Sequence, residues 1–156
     1  MINLNEFTEF NVINNVVSGG AGFLGSHLID KLLKNGQNVL CLDNLSSGYS
    51  GNITHLKKNK KFSFINHDIL EPLDSTILIE KIWHLASPAS PYHYQNDPIR
   101  TTRVNYEGTL NLLNLAKSHN SKMLFASTSE VYGKNPLIPW HESGDRVLGP
   151  TNIDRW

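Results

Sequence analysis

Apolar residues in this chain fall in short runs, separated by stretches with helical spacing. The run Val12 to Val17, rich in valine and isoleucine, predicts a first strand. From about Phe23 to Lys34, Leu24, Leu28, Ile29, Leu32 and Leu33 recur at intervals that place them on one helix face, and Asn35-Gly36 ends that helix as a C-terminal glycine does. Further strands are expected at Asn38 to Leu42, Phe62 to Asn66, Ile82 to Ala86 and Lys122 to Ser127. Between them, Asn44 to Lys61 reads as polar, basic loop with a short helical piece, and Pro72 to Lys81 as a short lead into the fourth strand. After a proline-containing loop, Asp97-Pro98 opens a long helix to about Ser118, and from Gly133 onward mostly loop is expected.

Short apolar strands alternating with helices imply parallel strands joined by helical crossovers. The predicted fold is therefore α/β: a Rossmann-type doubly wound parallel sheet with helices on both faces. Right-handed crossovers order its strands third, second, first, fourth, fifth, and ligands bind where that order reverses, at the carboxyl ends of the first and fourth strands. Residues 1–11 read as a polar lead-in and 12–156 as the sheet domain, incomplete at its C-terminal end.

Composition narrows the function classes. The chain has 156 residues, with 14 basic and 14 acidic side chains, so no charge excess argues for nucleic acid or an anionic membrane. No apolar run reaches the roughly 20 residues of a membrane helix, and Met1 to Phe10 lacks the basic start of a signal peptide. The single cysteine, Cys41, has no internal disulfide partner and reads as a small core residue. A cytoplasmic location is the expectation. The 7 histidines show no metal-ligand spacing, and no metal site is expected.

Chemistry concentrates after the first strand. In Ser18-Gly19-Gly20-Ala21-Gly22-Phe23-Leu24-Gly25 the glycines satisfy both G-x-x-G-x-x-G and G-x-G-x-x-G, between a predicted strand and a predicted helix. Such a turn lets the backbone approach a pyrophosphate and aims a helix N-terminus at it; a tight turn with no ligand is the alternative. Asp43 ends the next strand, where an acid hydrogen-bonds both adenosine ribose hydroxyls and repels a 2′-phosphate, so NAD is expected over NADP. Asp68, after the third strand, is placed to accept from the adenine amino group. Ala86 and Ser87, after Leu85, are small enough to let a cofactor pass.

Taken in order, Gly19 to Gly25, Asp43-Asn44, His67-Asp68, His84-Leu85-Ala86-Ser87, Asn105 and Ser127-Thr128-Ser129-Glu130-Val131-Tyr132-Gly133 resemble extended short-chain dehydrogenase/reductases acting on nucleotide sugars. The resemblance runs from about Val16 to Pro150. Within that superfamily, Ala86-Ser87-Pro88-Ala89-Ser90-Pro91 with Tyr92, Tyr94, Asn96, Pro98 and Ile99, and Ala126 to Gly133, look like UDP-glucuronate decarboxylases. The resemblance implies an internal redox cycle on the sugar. The C4 hydroxyl is oxidised with NAD as acceptor, the C5 carboxylate then belongs to a β-keto acid and leaves as CO₂, and the hydride returns to give UDP-xylose.

Carried over by position, the resemblance assigns Phe23, Leu24, Asn44, Ser47, Ile69, Leu85 and Arg103 to the cofactor lining. For Arg103 an exposed helix arginine is the alternative. Asn105 holds the long helix and nearby waters in register. Thr128 hydrogen-bonds the reacting C4 oxygen and Glu130 assists proton movement near C5. Ser87, Pro88, Tyr92 and Ser129 face the sugar, with loop packing the alternative for Tyr92 and Tyr94. Thr128-Ser129-Glu130 fits decarboxylation best, because the similar 4,6-dehydratases carry at Ser129 an aspartic acid that protonates a leaving hydroxyl and the 4-epimerases lack an acid at Glu130; a nucleotide-sugar 4,6-dehydratase or 4-epimerase is the alternative. Homodimers are common among such relatives.

The superfamily's base, a tyrosine four residues before a lysine, does not occur after Tyr49, Tyr92, Tyr94, Tyr106 or Tyr132. The stretch Gly149 to Trp156 resembles its approach. The chain thus reads as an N-terminal part lacking the base and the sugar-binding lobe, inactive alone. A non-catalytic NAD-binding module or a truncated product is the alternative of another class.

Overall fold

A computed structural model describes residues 2–148. They divide into two compact units, the first ending at Phe125 and the second beginning at Ala126. The first unit holds β1 (Ile2–Asn3), β2 (Val12–Ser18), α1 (Phe23–Lys34), β3 (Val39–Asp43), β4 (Phe62–Asn66), β5 (Leu73–Asp74), β6 (Leu78–His84), α2 (Pro91–Asn96), α3 (Pro98–Arg103), α4 (Thr109–His119) and β7 (Lys122–Phe125). A 3₁₀ helix, Ser50–Leu56, lies in the polar loop after β3, and a π turn, Val104–Gly108, joins α3 to α4 in one continuous helical run.

Five strands form a parallel sheet in the order β4-β3-β2-β6-β7, the predicted third–second–first–fourth–fifth arrangement. Successive residues point to opposite faces of a strand, and two apolar clusters result. Val16, Leu40, Leu42, Ile79 and Ile82 pack with Leu112, Leu115 and Ala116 of α4. Val17, Val39 and Cys41 pack with Ile29 and Leu32 of α1. Helices thus cover both faces, and each fully buried leucine or isoleucine contributes about 1.5–3 kcal/mol.

Polar residues are buried here too, Asn15 and Ser18 among them fully. Asn15 is buried, yet its Nδ2 donates to Gln37 Oε1 at 3.0 Å and its Oδ1 accepts from Trp83 Nε1 at 2.9 Å, so burial leaves nothing unpaired.

Three expectations need correction. The fourth strand runs Leu78–His84 rather than Ile82 to Ala86, so Leu85 and Ala86 lie just past the ladder. Pro91–Asn96 is a helix, not loop: the Ser90 side chain caps it and proline occupies its first turn. The lead-in is not merely polar, because Ile2–Asn3 pairs with β5 and Leu4 is fully buried in the core. Its burial depends on contacts with distant residues, which a local pattern does not carry.

The second unit begins with a 3₁₀ helix, Ser129–Tyr132, and its other described residues are mostly loop, as expected, with a single bridge between Gly133 and Val147. Asn135 organises it, donating from Nδ2 to Asp145 O at 2.6 Å and accepting from Trp140 Nε1 through its carbonyl at 3.1 Å. The Tyr132 and Trp140 rings stack at 5.4 Å. Gly149 to Trp156, read as the approach to the tyrosine motif, lies outside the described residues.

Candidate cofactor site

The glycine turn begins where three strands end together. Ser18 lies in register with Leu42 and His84; Gly19 N–H donates to Leu42 O at 2.8 Å, and Leu85 N–H donates to Ser18 O at 3.0 Å. The glycines serve different needs. Gly19 has φ +75°, and a Cβ there would lie 2.7 Å from the Leu85 carbonyl carbon. A Cβ on Gly25 would lie 2.2 Å from Gly19 O. Both are required by the fold itself. A Cβ on Gly22 would meet one neighbour, Gly19 O at 3.2 Å, and otherwise open space.

Gly22 is the N-cap of α1 and offers no side chain to the helix amides, while Phe23 and Leu24 are largely exposed. The first-turn N–H groups therefore point outward without a protein side chain to receive them, at the positive end of the helix dipole. A diphosphate fits that demand: it accepts from bare amides and needs close backbone approach at the one glycine that internal packing does not explain.

Asp43 closes the turn from the neighbouring strand. Its carboxylate is 8% exposed and accepts from Ala21 N–H at 2.9 Å and Leu45 N–H at 2.8 Å. Gly48 lies against it, since a Cβ there would come within 2.7 Å of Oδ1. An ionised carboxylate has about four acceptor positions. Ala21 and Leu45 take two, and two remain for a ligand's hydroxyls. Cys41 packs beneath Gly20, and burial followed by the Asp43 charge pushes its thiol pKa far upward, so it stays a neutral core group.

Asn44 Nδ2 donates to Asp68 Oδ2 at 3.1 Å, and Leu70 N–H donates to Oδ1 at 3.0 Å. Arg100, on α3, pairs with the same carboxylate. Burial alone would raise the Asp68 pKa; the Leu70 amide, Arg100 and Asn44 outweigh it and hold it below the ordinary value. Ile69 is buried and packs on Gly108, with its carbonyl accepting from Asn111. Across the turn, Ser87 Oγ donates to Asn105 Oδ1 at 2.8 Å.

A family model described as GDP-mannose 4,6 dehydratase matches residues 16–152. The chain belongs to this family. Among its relatives, UDP-glucuronic acid decarboxylase 1 of Arabidopsis thaliana is 49% identical over 122 residues, 78% of this chain and 27% of that protein. A UDP-N-acetylglucosamine 4-epimerase from Methanobrevibacter ruminantium, in complex with UDP-N-acetylmuramic acid, superposes with a TM-score of 0.74 at 32% identity, covering 89% of this chain and 45% of that one. DesIV, a dTDP-glucose 4,6-dehydratase from Streptomyces venezuelae with NAD and TYD bound, gives 0.73 at 28% identity over 88% and 45%. The chain spans less than half the length of each. The expected likeness to extended short-chain dehydrogenase/reductases, and to UDP-glucuronate decarboxylases within them, is borne out.

For this member of the family, the structure gathers Gly19, Gly22, Phe23, Leu24, Gly25, Asp43, Asn44, Asp68, Ile69, Leu85, Ala86, Ser87 and Asn105 around the ends of β2, β3, β4 and β6. Ser47 is exposed on the loop beside Gly48. Arg103 instead forks onto Glu107 on the exposed helix surface, at 2.9–3.1 Å. Arg100, three residues earlier, is the arginine that reaches Asp68, a contact the sequence reading missed. Pro88 is half-buried and Tyr92 is exposed on α2, its ring 5.3 Å from that of His93. In the second unit Thr128, Ser129 and Glu130 share one turn: Thr128 Oγ1 accepts from Glu130 N–H at 3.2 Å, and all three side chains are exposed. Among the described residues, no cluster of His, Cys, Asp and Glu assembles a metal-ligand set, and no helix is long and apolar enough to cross a membrane.

His84 adds a consequence for acid stability. It is buried, and burial lowers its pKa from 6.5 to about 4. Between those values the unfolded chain binds the proton and the folded chain does not, so stability falls as pH drops from 6.5 and levels off near 4. The full loss is roughly 3 kcal/mol. Urea midpoints measured at pH 7, 5.5 and 4 check this; a midpoint that does not move over that range would contradict it.

Proposed function

We propose that this chain binds NAD, with the diphosphate on the first turn of α1 and the adenosine ribose on Asp43, and that it serves UDP-glucuronate decarboxylation to UDP-xylose. The observation that carries the binding proposal is the open face of Gly22 beside uncapped helix amides, with Asp43 one strand away. NAD, when bound, would accept and return a hydride at the sugar C4. The protein's share is placement. Asp68 would receive the adenine amino group, and Ser87 and Asn105 would border the nicotinamide end.

The choice of decarboxylation rests on the identity with the Arabidopsis decarboxylase and on Thr128-Ser129-Glu130. Thr128 would hold the C4 oxygen, Glu130 would move a proton near C5, and Ser129 supplies no acid for dehydration. Pro88 and Tyr92 would contact the sugar. No Tyr-x-x-x-Lys occurs in the sequence. The chain alone is therefore expected to bind NAD without turnover.

The exposed residues Ile99, Tyr106, Leu110 and Leu113 recur at helical spacing along α3, the π turn and α4. A second copy packing on that stripe, as a homodimer, is part of the proposal.

Joined to the C-terminal remainder of the Arabidopsis relative, the chain is expected to release CO₂ and UDP-xylose from UDP-glucuronate and to elute at twice its monomer mass. A 4-keto-6-deoxy sugar from a hexose nucleotide, or C4 inversion without CO₂, would reject decarboxylation in favour of the dehydratase or epimerase reading.

A further inference from the structure

A line of hydrogen bonds runs from the phosphate turn to the π turn through groups with no assigned role. Ser18, the residue before Gly19, places its Oγ 3.0 Å from His84 Nδ1. His84 Nε2 lies 3.0 Å from Thr109 Oγ1. Thr109 Oγ1 lies 2.6 Å from the backbone carbonyl of Asn105, whose side chain meets Ser87. Ser18 and His84 are both buried.

Proton counting fixes the directions. The Thr109 hydroxyl has one proton, and its shortest contact is to Asn105 O, a group that can only accept. Thr109 must then accept from His84, which puts the imidazole proton on Nε2. Nδ1 is left as an acceptor and takes the proton of Ser18. Every member is satisfied in this arrangement; a charged ring would turn the Ser18 proton away to the Trp83 carbonyl, a longer contact at 3.5 Å. Burial, which lowers the His84 pKa to about 4, agrees.

The position of this line gives it a use. A π turn is a rare register, less favourable than α, and a slip of one residue rotates a side chain by about 100° around the helix. Asn105 stands within that turn, and its aim at Ser87 depends on the register. We propose that His84 is a positioning residue for the cofactor site: through Thr109 it holds the π register that keeps Asn105 on Ser87, and through Ser18 it ties that turn to the strand that opens the glycine loop. This rests on the NAD reading above.

Two measurements on the 156-residue chain test it. Long-range ¹H–¹⁵N spectra of the histidine rings at pH 7 should show His84 neutral and protonated on Nε2. In NAD titrations, Thr109→Ser should bind like the parent, and Thr109→Val, which loses the contacts to both His84 and Asn105 O, should bind about tenfold more weakly. A ring protonated on Nδ1, or doubly protonated, overturns the proposal, and this reading does not require any variant to fold. Parent-like affinity in Thr109→Val with only a lower melting temperature also overturns it, since His84 would then be merely structural. If the unaltered chain fails to bind NAD, the cofactor reading falls and takes the positioning role with it; the ring spectrum, unchanged, identifies that case.

Discussion

Gly25→Ala is expected to destabilise the fold by about 3 kcal/mol, the upper range of overpacking, whereas Gly22→Ala should fold almost normally and lose its cofactor. The two glycines stand three residues apart in one motif, so the contrast isolates what each does. At Gly25 the new methyl would sit 2.2 Å from Gly19 O, with Gly20 Cα at 2.7 Å. Neither neighbour is the end of a flexible side chain, and α1 would have to move away from β2. At Gly22 the methyl meets only Gly19 O at 3.2 Å, and the backbone, at φ −75° and ψ 175°, suits any residue. The stability cost there is that of a poorer N-cap, within about 1 kcal/mol. The methyl would, however, occupy the surface where the diphosphate is expected. NAD affinity should fall at least about tenfold, the equivalent of roughly 1.4 kcal/mol. Thermal unfolding and NAD titration of both variants check the pair; equal loss of stability in both would remove the reason for assigning Gly22 to a ligand.

Asp43→Asn is expected to weaken NAD binding by about 10- to 100-fold, the range for losing hydrogen bonds to a charged group, and to narrow the preference over NADP. The amide keeps the shape of the carboxylate but accepts on one side only. Ala21 N–H and Leu45 N–H both need an acceptor, so one loses its partner and the ribose loses a charged acceptor. Removing the negative charge also removes the repulsion of a 2′-phosphate. Affinities for both cofactors, measured on parent and variant, decide it. A variant that keeps the parent's NAD-to-NADP ratio would show that Asp43 only supports the turn.

The layout of the sheet was legible because four of its five strands announce themselves as compact apolar runs, and the first helix by its leucine stripe and terminal Asn35-Gly36. The fourth strand was read four residues late. Glu80 and Lys81 break its apolar run, with Ile79 and Ile82 buried on either side of them and Glu80 exposed. Its first half is covered on one face only, which the eye for continuous runs passes over. Ser90-Pro91 carries a capping serine before proline, a signal that was available for α2 and lost among the flanking prolines. Leu4 offered no signal at all, since one apolar residue in a polar stretch has no period.

In the site, the glycine turn and Asp43 were readable because their spacing is set by local geometry. The Asp68–Arg100 pair and the Ser18–His84–Thr109 line were not. Each joins residues that are distant in sequence, 32 positions apart for the first and 66 and 25 for the second. Only the folded sheet brings them together. The sequence points to Arg103, and the turn of the helix gives the contact to Arg100: Arg103 finds Glu107 one turn along, and Arg100 faces Asp68.

Backbone amide spectra of the ¹⁵N-labelled chain during titration with NAD bear most directly on the central claim. The account predicts saturable shifts of the Phe23, Leu24 and Gly25 amides, the direct donors to a diphosphate, and smaller ones at Gly22, whose N–H donates to Gly19 O at 3.2 Å, and at Ala21 and Leu45, which share the Asp43 carboxylate. Binding that leaves the Phe23–Gly25 amides unmoved, or no binding at millimolar NAD, would contradict it.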